Sequence, residues 1–380
     1  MQVFSSSVHI EADQPLGGFI TQRLSVAPSD QLEINGLSFN DVGSGMCIEL
    51  CAVDALYAGE LVEGASGPSC RRIFAASHTH FAPMLDASKS QLGSISHQAL
   101  SEWRGALRMA KRQLISPSQC TIWRADVPLP VYRRFDVPGT KLNRWLTAHG
   151  GMFPNSRQPI DRSLYIFELG DGDRTDAVII LHACHPVSRS SHMHTSADYV
   201  DVLRQSVRAR FGNVPCLFLL GCCGDVRPDL ARKRVAWLPR SRLNWRFERS
   251  VRPESERRVD ATYARAVAEA VTWKTIKLTN ASLRFELKEI DLINQPPVRV
   301  PSIYLGDELR FEFVPFEVSH LFHLEAQQKE PMRFIVSCAD RTLGYLPHPR
   351  QIPFSGYEVD GSRECMGLAD RVLLKNGRLW

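Results

Sequence analysis

Ile73-Phe74-Ala75-Ala76-Ser77-His78-Thr79-His80-Phe81-Ala82-Pro83 runs from an apolar strand candidate into two histidines and a proline. Side chains alternate along a strand, so on strand geometry His78 and His80 face the same way. Two imidazoles side by side at a strand end suit a divalent cation, and imidazole is a good zinc ligand. The same pattern also fits two polar residues at a strand–loop junction, one of them solvated. The neighbourhood has to choose between the two.

Working outward, apolar runs and amphipathic stretches alternate along the whole chain. Strand candidates are Gly45–Val53, Arg72–Ser77, Thr121–Ala125, Ser163–Leu169, Asp176–His182, Cys216–Leu220, Ser282–Ile290, Leu309–Val314 and Phe334–Ala339. Helical spacing falls between them at Ile95–Leu114, Ala197–Arg210 and Val259–Val271, with Ser94 and Ser196 placed as N-caps. The class is therefore α/β. Residues 1–380 read as a single unit, with a strand-rich C-terminal part from about residue 280. Arg133–Asp161, rich in Gly, Pro and Asn, reads as a long surface excursion.

Four further clusters stand where apolar strands end. Val178-Ile179-Ile180-Leu181-His182-Ala183-Cys184-His185-Pro186 presents His185 before a ladder-breaking proline. Leu219-Leu220-Gly221-Cys222-Cys223-Gly224-Asp225-Val226-Arg227-Pro228 runs a strand into a glycine-bracketed turn. Its glycines imply close backbone approach, and it lacks the spacing of a phosphate-binding P-loop. Phe313-Val314-Pro315-Phe316-Glu317 places a carboxylate after an apolar strand, where it needs a cation or a hydrogen-bond donor. Gly344-Tyr345-Leu346-Pro347, followed by Tyr357-Glu358, completes the set. Histidines, a carboxylate and tyrosines at strand ends are the inventory of a mononuclear zinc hydrolase.

Composition narrows the setting. With 380 residues, 44% hydrophobic and 23% charged, the chain is an ordinary globular protein. No apolar run is long enough for a transmembrane helix. Met1-Gln2-Val3-Phe4-Ser5 has neither the basic start nor the apolar segment of a secretion signal. Ten dispersed cysteines without a CxxC pair read as reduced thiols, which sets the expectation of a cytoplasmic protein. The net charge of +5 is mild, and nucleic acid is not the expected partner. The charge is unevenly spread, however: Arg232 to Arg258 holds ten basic residues against three acidic ones, interleaved with Trp237, Trp245 and Phe247. That stretch fits a solvated loop, a surface for an acidic partner or nucleic acid, or a basic lid over an anionic substrate.

The order of these motifs resembles the catalytic domain of the neutral (non-lysosomal) ceramidases. The matching stretches are His78-Thr79-His80 with Pro83, His185-Pro186, Ser196-Ala197-Asp198, Gly224-Asp225-Val226-Arg227-Pro228, Pro315-Phe316-Glu317, and Gly344-Tyr345-Leu346 with Tyr357. The resemblance extends from about Gly17 to Tyr357. It implies mixed β-sheets flanked by helices, and one zinc per chain held by His78, His185, Glu317 and Tyr345. It assigns His80, Arg133 and Tyr357 to catalysis, with Arg134 a neighbour of equal chemistry beside Arg133. The implied reaction is hydrolysis of an N-acyl amide in lipid metabolism, zinc-bound hydroxide attacking the carbonyl. His80, Arg133 and Tyr357 would stabilise the charge that develops on oxygen, each worth about 3 kcal/mol.

The departures lie in the pocket wall. Phe81 and Ala82 replace small residues, Phe316 stands where the family has glycine, and Tyr132 where it has asparagine. The chain is also too short for the family's C-terminal immunoglobulin-like domain. A small soluble or anionic N-acyl compound is thus the expected substrate in place of ceramide. A non-catalytic relative that uses the basic 232–258 stretch is the competing expectation. Of the remaining histidines, His182, His192 and His194 lie near enough to His185 to support a ligand, while His320 and His323 read as packing or surface residues.

Overall fold

Strand residues alternate between two apolar surfaces, and that alternation organises the protein. The computed structural model describes residues 1–19, 22–134, 152–233, 245–247, 250–279, 283–363, 366–368 and 370–379. The first sheet contains β1 (Gln2–Val8), β2 (Leu32–Asn40), β3 (Cys47–Val53) and β4 (Cys70–Ala76), in the order β4-β3-β2-β1, with Gln113–Leu114 at its far edge. β3 and β4 run parallel, from Cys47 opposite Cys70 to Val53 opposite Ala76. The second sheet contains β5 (Gln119–Asp126), β6 (Ser163–Gly170), β7 (Thr175–His182), β8 (Cys216–Leu220) and β9 (Val271–Lys277), in the order β8-β7-β6-β5-β9. It too is mixed, with β7 and β8 parallel and the other pairs antiparallel. A third sheet joins β10 (Leu283–Leu292), β11 (Gln295–Leu305), β12 (Leu309–Phe313) and β13 (Arg333–Val336) in sequence order.

One side of the first two sheets shares a core with the third. Leu50, Ala52, Ile73 and Ala75 pack there with Ile179, Leu181, Leu217, Leu219, Phe311 and Phe334. The intervening residues Cys51, Val53, Phe74, Ala76, Val178, Ile180 and Phe218 belong to a second cluster, with the helices. Each of the Leu, Ile, Val and Phe side chains contributes about 1.5–3 kcal/mol by leaving water. Burial on both faces explains why these strands read as continuous apolar runs.

Helices α1 (His97–Met109), α2 (Tyr199–Phe211), α3 (Pro253–Glu269) and α4 (His320–Lys329) cover the sheets. The architecture is the expected α/β class of mixed sheets flanked by helices. Cap chemistry refines the boundaries. Ser96, not Ser94, accepts the Ala99 N–H at 3.0 Å, and Asp198, not Ser196, caps α2 by accepting from Tyr199. α1 stops at Met109, and Gln113–Leu114 instead pair with β1. Of the Gly/Pro-rich excursion, residues 135–151 lie outside the described residues, as do 234–244 and 248–249 of the basic stretch. Among the described residues, no helix is long and apolar enough to cross a membrane.

Candidate metal centre

Strand β4 ends before the two histidines begin. Ser77 N–H turns to Val53 O at 2.9 Å and His78 N–H to Ala55 O at 2.8 Å, leaving the ladder. His78 itself takes φ of +63°, the left-handed region that non-glycine residues seldom visit and that tends to mark functional sites. This corrects the premise that strand alternation aligns the two rings. They converge, with centroids 4.9 Å apart, because the chain turns at His78. The Ser196-Ala197-Asp198 segment pins that turn: Ser196 O accepts from Thr79 Oγ1 at 2.7 Å, and Ser196 N–H donates to Phe81 O at 2.9 Å.

Four chain segments meet at the turn. His78 Nδ1 bonds Leu56 O at 3.0 Å, and His185 Nδ1 bonds Val226 O at 2.9 Å. With both Nδ1 atoms turned to carbonyls, each ring points its Nε2 into the cluster. Both Nε2 atoms face one oxygen, Glu317 Oε2, at 3.3 Å from His78 and 3.2 Å from His185. Glu317 lies in the two-residue strand Glu317–Val318, paired in parallel with Tyr345–Leu346 so that Glu317 and Tyr345 are register partners. Gly224 makes the close approach that its turn implied. A Cβ there would lie 2.7 Å from Glu317 O, and its N–H donates to Val318 O at 2.8 Å.

Arg133 arrives through the strand Pro130–Tyr132, which pairs with Val226–Pro228. Its Nη2 donates to Gly224 O at 2.6 Å and to Tyr345 Oη at 3.2 Å, while Nη1 stands 3.4 Å from His185 Nε2. Glu358 bridges the arginine pair, taking Arg133 Nε at 2.7 Å and Arg134 Nη1 at 2.6 Å. Of the two neighbours, Arg133 is the one turned into the cluster; Arg134 continues outward to Ser355 O. The Tyr357 ring lies 5.6 Å from Tyr345 and 5.7 Å from the Arg133 guanidinium carbon. His80 completes the group, its ring 5.8 Å from that of His185. Gly18, at φ of +98°, permits this placement, since a Cβ there would come within 2.7 Å of the imidazole.

All seven residues singled out in the sequence thus gather at one place. Their electrostatics are tightly coupled. Burial would push the Glu317 carboxyl up, but His78 and His185 hold it well below the usual carboxylate range. Burial also opposes charge on His78, yet Glu317 outweighs it and holds that imidazole well above its ordinary value. His185 is pushed down to about 4 by burial and the Arg133 charge. Burial, then His78 and His185, hold His80 well below the histidine range, so it is a neutral ring.

The residues fit a metal ion. His78, His80 and His185 bring one nitrogen each within 4.8 Å of one another. Both ring nitrogens of His80 and the Nε2 of His78 are buried without a hydrogen-bond partner. Buried polar atoms are seldom left so, and lone pairs converging beside a carboxylate are what a divalent cation would satisfy.

Several supporting residues were not singled out in the sequence. Tyr57 donates to Glu317 Oε1 at 2.7 Å, and its position just past the end of β3 was the available signal. His320 is no surface residue. Its Nδ1 and backbone N–H bond Asp225 Oδ1 at 3.0 and 2.9 Å, and Ser319 and Gln351 bond the other oxygen. His323 is likewise buried, its Nε2 2.9 Å from Asp161. His182 bonds Ser163 O between Tyr199 and Tyr263, while His192 stacks on Phe19 beside His80.

No protein-family model matches the chain, and no curated protein matches it by sequence. Solved structures do. Neutral ceramidase from Pseudomonas aeruginosa aligns over 94% of this chain and 70% of that one, with a TM-score of 0.62 and 10% identity. A ceramidase complexed with C2 aligns over 97% of this chain and 72% of that one, with a TM-score of 0.63 and 10% identity. The mixed α/β fold of this chain is therefore that of the neutral ceramidases.

Proposed function

We propose that this protein is a zinc-dependent hydrolase of N-acyl amide bonds, one catalytic unit over residues 1–380, acting on a soluble or anionic small molecule. The observation that carries the reading is the convergence of His78 Nε2 and His185 Nε2 on Glu317 Oε2 while both Nδ1 atoms are held by backbone carbonyls. The ceramidase likeness of the fold supports it. His78, His185, Glu317 and Tyr345 would hold one zinc. A zinc bound there supplies Lewis acidity and a water nucleophile at neutral pH.

The protein's own groups then do the rest. Arg133, fixed by Glu358 and Gly224 O, offers a permanent cation to an amide oxygen as it gains charge. Neutral His80, with unpartnered ring nitrogens, is free to hydrogen-bond the substrate. Tyr357, beside Tyr345, supplies a phenol on the same side as Arg133. Glu317 keeps its charge through His78 and His185, and its other oxygen accepts from Tyr57. We place the enzyme in the cytoplasm, on its ten dispersed cysteines.

The test is metal content by mass spectrometry, together with hydrolysis of a panel of N-acyl amides. About one zinc per chain in wild type, lost in Glu317→Ala and in His185→Ala along with turnover, is the expected result. A wild-type protein that stays metal-free in excess zinc would sink the reading.

A further inference from the structure

Arg227 occupies the strand Val226–Pro228, one residue past the carbonyl that fixes His185. The other guanidiniums around the cluster have partners. Arg133 and Arg134 share Glu358, and Arg189 pairs with Asp198, Glu256 and Asp260. Arg23 is capped by the carbonyls of Gly17, His80 and His192.

Arg227 is different. Among the described residues, no carboxylate pairs with it and no acceptor takes its hydrogens, and its Nε is buried without a partner. Its guanidinium carbon lies 4.4 Å from the centre of the Phe247 ring. Stacking of this kind holds the planar fork in place while leaving its N–H edge available. Burial and the nearby Arg133 charge lower its pKa to about 10, which leaves it fully charged at neutral pH. A half-buried cation next to a second cation, with no acid in reach among the described residues, is unfavourable unless an anion from outside completes it.

We propose that Arg227 is the anion-recognition residue of the substrate pocket, and that the substrate is an N-acyl compound whose amine half carries a carboxylate or phosphate. The inference rests on the amide-hydrolase reading above and deepens it. It places the scissile amide at the His78/His185/Glu317 cluster and the charged end beyond His185, on the Arg227 side. A guanidinium edge can bind either oxyanion through two parallel hydrogen bonds. The same residue discourages a neutral lipid, since an uncharged group there would leave the cation buried and unpaired.

The experiment is calorimetric binding of three probes that share one acyl chain: N-dodecanoylglycine, N-dodecanoylethanolamine phosphate and neutral N-dodecanoylethanolamine. Zinc-loaded wild type, Arg227→Ala and Arg227→Lys are compared, with turnover read on the same samples. Wild type is expected to bind one or both anionic probes roughly ten- to hundredfold more tightly than the neutral one. The ratio collapses toward unity in Arg227→Ala, and Arg227→Lys keeps part of it. Whichever anion binds more tightly identifies the group.

Equal binding of charged and neutral probes by wild type overturns the proposal. So does failure to bind any of them, or a charge preference that survives in Arg227→Ala. The wild-type comparison stands even if a variant misfolds. Charge preference without turnover of any probe keeps the Arg227 assignment and counts against the hydrolase. Turnover without charge preference does the reverse.

Discussion

Two buried polar clusters lie on either side of β3, and they are built on opposite terms. Behind the first sheet, Glu33, Asp54, Arg204 and Arg208 tie β2 to α2. Arg208 meets both oxygens of Glu33 at 2.7 Å, and Arg204 Nη2 meets Asp54 at 2.6 Å. Asn35 and the Glu33 backbone N–H complete the set. Two acids face two guanidiniums, and although burial works against it, Arg208 and Arg204 bring the Glu33 carboxyl down to about 2. The His78/His80/His185/Glu317 cluster has three imidazoles for one carboxylate, and nitrogens with no partner. The first network balances its own charges, with even Arg204 Nε 3.6 Å from Glu33, and ties strand to helix. The second leaves ring nitrogens that no group among the described residues satisfies. That contrast, more than any one motif, separates a structural cluster from a site.

The comparison can be broken by mutation. The largest effect expected is on stability: Arg204→Ala strands Asp54 in the interior and should cost about 3–5 kcal/mol in urea denaturation, with zinc per folded chain unchanged. Loss of zinc as well would mean that the two clusters are one cooperative unit. His80→Ala should do the opposite. Hydrolysis falls about 10²–10³-fold, while the unfolding free energy moves by less than about 1 kcal/mol, since no hydrogen bond to the ring is lost. A stability loss as large as that of Arg204→Ala would show His80 to be structural. Tyr57→Phe is the smallest and most discriminating change. Removing the hydroxyl that bonds Glu317 should weaken zinc affinity about 10–100-fold in a chelator competition. Unchanged affinity would reduce Tyr57 to a packing role.

Legibility followed the range of the interactions involved. Cys216–Leu220 was read to the residue, because an unbroken apolar run between Pro215 and Gly221 needs no partner to declare it. β1 and β2 were not read: Ser5-Ser6-Ser7 and Asn35-Gly36 are poor strand sequences that hold their form by pairing with each other. Helix α3 begins at Pro253, earlier than the apolar spacing from Val259 implied, because its first turn is polar. In the site, histidines, a glutamate and tyrosines near strand ends stood out as chemistry in the wrong place for packing, Arg133 entered only through the family resemblance, and all seven come together. Tyr57, Glu358 and His320 did not stand out, since nothing local distinguishes a buried tyrosine that donates to Glu317 from one that simply packs.

Apolar runs and helical spacing are properties of neighbouring residues and determined the fold class from sequence alone, while the set His78, His185, Glu317 and Tyr345 came from the order of short motifs and the family resemblance it carries. The tertiary structure decided the rest. It turned the chain at His78 instead of leaving the two rings on a strand, turned Arg133 and not Arg134 into the cluster, and left Arg227 without a counter-charge among the described residues. Each of these depends on groups tens to hundreds of residues apart in the chain: Leu56 with His78, Glu358 with Arg133, Phe247 with Arg227. Local sequence records what a segment can do. Only the folded chain determines which of its polar atoms are satisfied from within and which are left for a ligand.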